Sequence, residues 1–280
     1  MIHLLRRTNP TERFTAGYGL GFGVLISAIG PVGPGLIVAS ANVLVAAFVL
    51  AILPRLRASE RIATAFLGQI LPLLVFYLFY RECAVVLSQP GVAWQDLTVE
   101  TVDRALIGPI PASHAAIGEW LALGYMTYVP VLVTAALILA WRARSPAGAQ
   151  EVVRPICIVW GVCYGVFVLF PVLGPRLADP TFQLGRLGTG PFSTLAVTNQ
   201  RFGMLRGAAF PSAHVAATVA ALLAVRRGTA FWLLLPIGLS IPIAAVYLGY
   251  HYVSDVIVGA GIALAAAGAK PWRAAARTGG

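Results

Sequence analysis

Two of the four histidines, His214 and His251, stand in patterns that could do chemistry. Asp255 follows His251 by four residues, one turn on along the same face if the segment is helical. His214 closes the run Phe210-Pro211-Ser212-Ala213-His214, where Pro211 suits the first position of a helix. Arg176 lies in Gly174-Pro175-Arg176, behind another apolar run. Helix N-termini offer unpaired N–H groups and partial positive charge, so two helix starts and a guanidinium meeting at one level suit a phosphate. The plainer alternative is structural: one interfacial histidine is more often a hydrogen-bonded fixture, and a lone H-x-x-x-D spacing is weak. Several such residues converging from separate segments are harder to assign to structure alone.

The elements that must bring them together are apolar. Of 280 residues, 59% are hydrophobic and 11% charged, against roughly 25% charged in soluble domains. An excess this large needs the bilayer as a second apolar solvent. It also excludes a disordered tail or a disulfide scaffold. Cys83, Cys157 and Cys163 read as small buried hydrophobes. A bilayer core about 30 Å thick needs roughly 20 helical residues per crossing. Runs near that length fall at 14–30, 35–53, 62–80, 117–141, 156–173, 211–225, 230–250 and 251–269. The expectation is an all-α, polytopic transmembrane bundle of about 8 spans, within a range of 6 to 8. The first two runs, parted by Gly30-Pro31-Val32-Gly33-Pro34-Gly35, read as an N-terminal hairpin (1–61) preceding a second unit (62–280). Gly17, Gly19, Gly21 and Gly23 give two overlapping G-x-x-x-G spacings, read as close helix packing. Pro72, Pro130 and Pro236 read as kinks within spans.

The net charge of +10 sorts by side. Fourteen basic residues fall on one side of the expected spans and Arg81, Arg104, Arg176, Arg186, Arg201 and Arg206 on the other. The richer side is inside, so the charge reports orientation and not nucleic acid as a partner. Both termini are then cytoplasmic, and His214, His251 and Arg176 face outward at the plasma membrane. Ser212 to Arg226 and Asp255 to Lys270 give only about 21 to 23 Å of helix at 1.5 Å per residue. The site is therefore expected to be recessed at the outer headgroup level, within reach of a membrane lipid.

At these residues the sequence resembles the type 2 phosphatidic acid phosphatase superfamily. Phe210 to His214 matches its second motif and His251 to Asp255 its third. The likeness is strongest from Tyr164 onward and looks closest to the inositol phosphorylceramide synthase-like branch, on Gly174-Pro175-Arg176, His251-Tyr252 and the outer segment Asp103 to Pro109. The resemblance implies a six-helix core and a lipid phosphatase or phosphotransferase working through phosphohistidine without cofactor or metal. It makes His251 the nucleophile, gives Asp255 the other ring nitrogen, and makes His214 the acid and then the base. Arg176 and Ser212 would hold phosphate oxygens. Two cations of the phosphatase pattern are missing, with Leu169 and Ala244-Ala245 in their places. That fits the synthase-like branch, and Arg201 and Arg206 are candidate substitutes that could equally meet only headgroups or water. A phosphate monoester and a phospho-headgroup acceptor reaction share the same first step, so hydrolase and transferase stay open. The competing class is a transporter or a non-catalytic relative that binds lipid phosphate, although no internal repeat is evident.

Overall fold

A computed structural model describes residues 7–107, 115–179 and 190–268. His3, His114, Arg6, Arg186, Lys270, Arg273 and Arg277 lie outside these, and Arg201 falls on a helix whose side chain at that position is not described. The described residues form α-helices joined by short connections, with a single isolated β-bridge and no strand among them.

The N-terminal hairpin is α1 (Pro10–Ile29) and α2 (Val32–Ala51), continued by the short α3 (Leu53–Arg57). Asn9 and Glu12 form a reciprocal capping box, each side chain taking the other's backbone N–H at 2.8 Å. The fully buried Glu12 also accepts from Arg57 Nε at 2.6 Å, which ties the two ends of the hairpin together. Only one of the two glycine pairs packs. Gly19 and Gly23 lie against Phe79 and against Ala39 with Asn42, whereas nothing approaches where Gly17 and Gly21 would carry a side chain.

Next come α4 (Ile62–Glu82) and the single turn α5 (Ala84–Leu87). Beyond them lie α6 (Asp96–Ile107), α7 (Ala115–Met126) and α8 (Tyr128–Arg142). The chain continues through a 3₁₀ turn (Pro146–Ala149) into α9 (Gln150–Leu169) and the single turn α10 (Pro175–Ala178). It ends in α11 (Pro191–Gly203), α12 (Ala213–Val225), α13 (Thr229–Tyr247) and α14 (Val253–Gly268). All eight apolar runs are helical over most of their length, but fewer qualify as crossings. Val32–Arg57, Ile62–Leu87, Pro146–Leu169 and Thr229–Tyr247 are long and apolar enough, and α7 with α8 makes a fifth if the pair, bent by 42°, is one span. Among the described residues, four or five of the expected eight qualify by length and composition. In α1 the glycines, Thr11, Thr15, Glu12 and Arg13 dilute the apolar content. The helices α12 and α14 are apolar but short, at 13 and 16 residues. The α7–α8 bend follows from Pro130, which cannot donate to the Met126 carbonyl and whose ring crowds it. Pro72 and Pro236, by contrast, lie inside continuous helices.

The helix α12 stands at the centre. It is alanine-rich and buried on nearly every side, with α8, α9, α13 and α14 packed around it. Small residues let these neighbours approach closely. A Cβ on Gly259 of α14 would lie 2.5 Å from the backbone oxygen of Ser212, so the start of α12 and the body of α14 touch main chain to main chain. Cys83, Cys157 and Cys163 are buried free thiols.

Candidate active site

The carboxyl end of α9 delivers the first component. After Leu169 the chain runs extended, and Val172 pairs with the segment before α12: Val172 N donates to Gly207 O at 3.2 Å and Ala209 N to Val172 O at 3.0 Å. Gly174 then turns with φ 87°, where a side chain would be strained and its Cβ would meet Tyr250 O at 2.6 Å. That turn starts α10 and brings in Arg176, whose N–H donates to Gly249 O at 2.9 Å. The Arg176 side chain is buried, with Cζ 5.4 Å from the centre of the Tyr250 ring.

The second component is the start of α12. Ser212 is its N-cap, with Oγ accepting from Val215 N at 3.4 Å. The Ser212 N–H donates to the Asp255 carbonyl at 2.9 Å, which locks this helix start to α14. His214 follows in the first turn, its ring centroid 6.2 Å from that of His251.

The third component is the connection from α13 to α14, which holds His251. Its Nδ1 lies 2.8 Å from the Ala209 carbonyl oxygen and 3.4 Å from Asp255 Oδ2. The Asp255 carboxylate thus stands beside the expected ring nitrogen, and a backbone carbonyl lies nearer to it. Asp255 Oδ2 takes the Tyr252 N–H at 2.8 Å. The consequence for the ring is definite. A carbonyl can only accept, so Nδ1 carries the proton and Nε2 keeps its lone pair. Burial holds the His251 imidazole down to about 4, the Ala209 hydrogen bond pulling the other way. The ring is therefore neutral near pH 7.

Arg176, Ser212, His214, His251 and Asp255 thus meet at one end of the bundle. Arg206 is exposed. At the two positions where the phosphatase pattern has cations, Leu169 is 65% exposed, and Ala244 and Ala245 are fully buried in tight packing.

Several participants were not anticipated. Tyr128 and Tyr125 pack on His214, with ring centroids 4.4 and 5.1 Å away, and Tyr125 stacks on Tyr250 at 4.5 Å. Trp160 Nε1 donates to Tyr128 Oη at 3.0 Å, extending the aromatic wall behind His214. Both tyrosines on His214 come from the α7–α8 bend, so the kink has a use here. Carboxylates join them, Asp96 and Asp103 on α6 and Glu119 on α7. Each accepts from two consecutive backbone N–H groups. Among the described residues no group of three or more His, Cys, Asp or Glu side chains is arranged to hold a metal ion.

Comparison with known families yields one match, to the PAP2 superfamily, over residues 101–269, well over half of the chain. No curated protein and no solved structure gives a match. The matched stretch runs from within α6 to the end of α14 and contains Arg176, Ser212, His214, His251 and Asp255, while Asp96 precedes it. By that match, the chain belongs to the PAP2 superfamily.

Proposed function

We propose that the protein is an integral membrane enzyme that takes the phosphoryl group or phospho-headgroup of an outer-leaflet lipid onto His251 and passes it to water or to a lipid alcohol. Superfamily membership supports phosphatase-type chemistry on a lipid phosphate. The observation that carries the mechanism is the 2.8 Å contact between His251 Nδ1 and the Ala209 carbonyl, because it leaves Nε2 unprotonated. In the first step the Nε2 lone pair attacks phosphorus. The P–O bond to the lipid alcohol breaks, and the departing alkoxide takes a proton from His214. In the second step, neutral His214 accepts a proton from water or an alcohol, whose oxygen attacks phosphorus. The N–P bond breaks and the lone pair returns to Nε2. The 6.2 Å between the two ring centroids is a working distance for such an exchange across one phosphorus atom.

Charge on the non-bridging oxygens is met by Arg176, by the N-terminus of α12 and by the Ser212 hydroxyl. The Ser212 oxygen accepts within the cap, so its proton is left to donate. Arg201 and Arg206 would add charge in the outer loop, in place of the two absent cations. We place the site outward and both termini in the cytoplasm on the side-by-side count of basic residues. The branch resembling inositol phosphorylceramide synthase favours transfer, and the six-helix core is what membership implies for the fold around α12.

The test is an assay of purified protein in detergent, with several phospholipids and lipid phosphates, a chelator throughout, and a lipid alcohol added or withheld. Free phosphate from a lipid phosphate, or a free phosphorylated headgroup from a phospholipid, marks a hydrolase, and a new phospholipid formed only with the alcohol marks a transferase. Absence of both products, or turnover that needs an added divalent cation, overturns the reading. The same assay on a phosphodiester substrate, whose phosphate does not titrate above pH 3, has an expected pH profile. Protonation removes the Nε2 lone pair, so the limb that His251 sets falls as pH falls through about 4, whereas His214, which burial also holds down, to about 3, must gain its proton in the complex with the anionic phosphate before it can act as the acid. An ordinary solvated histidine would produce that fall near 6.5.

A further inference from the structure

The helix α6 lies in an outer connection far in sequence from the motif residues, yet its carboxylates bond to the two turns that present them. Asp96 Oδ2 accepts from Leu173 N at 2.9 Å, and Oδ1 accepts from Gly174 N at 3.0 Å and from Tyr252 Oη at 3.3 Å. Asp103 Oδ2 accepts from Val253 N at 2.6 Å and Oδ1 from Ser254 N at 2.8 Å. Each of these five donors is within three residues of Arg176, His251 or Asp255. The two acids are seven residues apart, which is two turns along one face, and both are buried while most of the remaining α6 residues are exposed. This reverses the usual surface helix, in which the acids face water.

We propose that Asp96 and Asp103 are positioning residues: α6 is a clasp that fixes the Arg176 turn relative to the His251–Asp255 turn. The connection runs through Tyr252. Its hydroxyl is bonded to Asp96, its N–H is bonded to Asp255, and it follows His251 directly. Asp103 could be described as a cap borrowed from another helix, since Val253 and Ser254 open α14. Asp96 does not fit that description, because Leu173 and Gly174 precede only the single turn α10. What the two carboxylates share is that each takes a pair of adjacent N–H groups beside a site residue. A fixed distance between a cation and a nucleophile matters because misplacement by 1 Å can cost about 100-fold in rate.

The use of this spacing in catalysis rests on the proposed function; the clasp itself does not, and the experiment separates them. Asp96→Asn and Asp103→Asn keep side-chain size but leave one oxygen and set an amide N–H₂ against a backbone N–H. Hydrogen–deuterium exchange is followed by mass spectrometry on peptides covering 172–176 and 252–256, in full-length protein. Each variant is expected to speed exchange at least tenfold in both peptides, including the one its own backbone bonds do not reach. The lipid assay is expected to show kcat lower by about 10- to 100-fold with KM within threefold, melting temperature being nearly unchanged. Faster exchange confined to the directly bonded turn, or kcat within twofold of wild type in an enzyme that His251→Gln inactivates, overturns the proposal. Should wild type and His251→Gln prove equally inactive, it is the functional reading that fails, and the exchange data alone still decide for or against the clasp.

Discussion

Replacing His251 by glutamine is expected to abolish turnover, with kcat falling by on the order of 10⁴-fold or more, the scale seen when a nucleophile is removed from a hydrolase. Glutamine is the sharper choice than alanine for this test. Alanine leaves the Ala209 carbonyl without its donor and opens a void beside a buried carboxylate, so lost activity could be lost structure. The glutamine amide N–H₂ can still donate to that carbonyl, while no side-chain atom keeps a nucleophilic lone pair. The direct readout is covalent. Wild type quenched during turnover of a substrate radiolabelled at phosphorus should retain label on protein, in a bond stable to alkali and labile to acid, as a phosphoramidate is. His251→Gln should retain none. Label of the same lability persisting in the variant would move the nucleophile elsewhere, and His214 would be the residue to examine next.

The proposal of His251 as nucleophile comes from the family resemblance carried by Phe210 to His214 and His251 to Asp255. His251, Asp255, His214 and Arg176 were legible as candidates because apolar surroundings make every ionisable group conspicuous, and Ser212 because it lies in the same short motif as His214. The eight helical stretches were legible for the same reason, since long apolar runs have little else to become. What escaped was of another kind. Ala209 contributes a backbone carbonyl, which every residue possesses, so its selection by His251 depends on the pairing of Val172 with the 207–209 segment and has no signature of its own. Asp96 meets Gly174 across 78 positions, and nothing local to either announces the bond. The helices α6 and α11 were passed over as connections because a search tuned to apolar runs of about 20 residues does not register 12- and 13-residue helices carrying polar faces. Length and composition support fewer crossings than the eight expected because helicity and hydrophobicity do not fix length: α12 is apolar yet enclosed by its neighbours, which is the environment of a buried core helix.

The enclosed position of α12 bears on its first turn, where His214 is expected to be the proton donor to the leaving alkoxide and the base toward the incoming nucleophile. His214→Gln should lower kcat on lipid substrates by about 10² to 10⁴-fold, the usual contribution of general acid–base catalysis. Loss of rate alone would not establish the role, because the ring also packs between Tyr125 and Tyr128, and its removal could disturb the α7–α8 bend. Dependence on the leaving group does establish it. A lipid alkoxide is a strong base and needs a proton to depart, whereas p-nitrophenolate departs without one. With a p-nitrophenyl phosphoester that wild type accepts, the variant should therefore release p-nitrophenol in a rapid burst equal to the enzyme present. It should then stall, because breakdown of the phosphohistidine still needs a base to activate water. On the lipid substrate the same variant should show no burst. If packing were the cause, geometry at phosphorus would be impaired for both substrates, and the burst would be slowed to the same degree as lipid turnover. A variant with equal losses on the two leaving groups would thus remove His214 from the proton transfer and leave it as part of the aromatic wall.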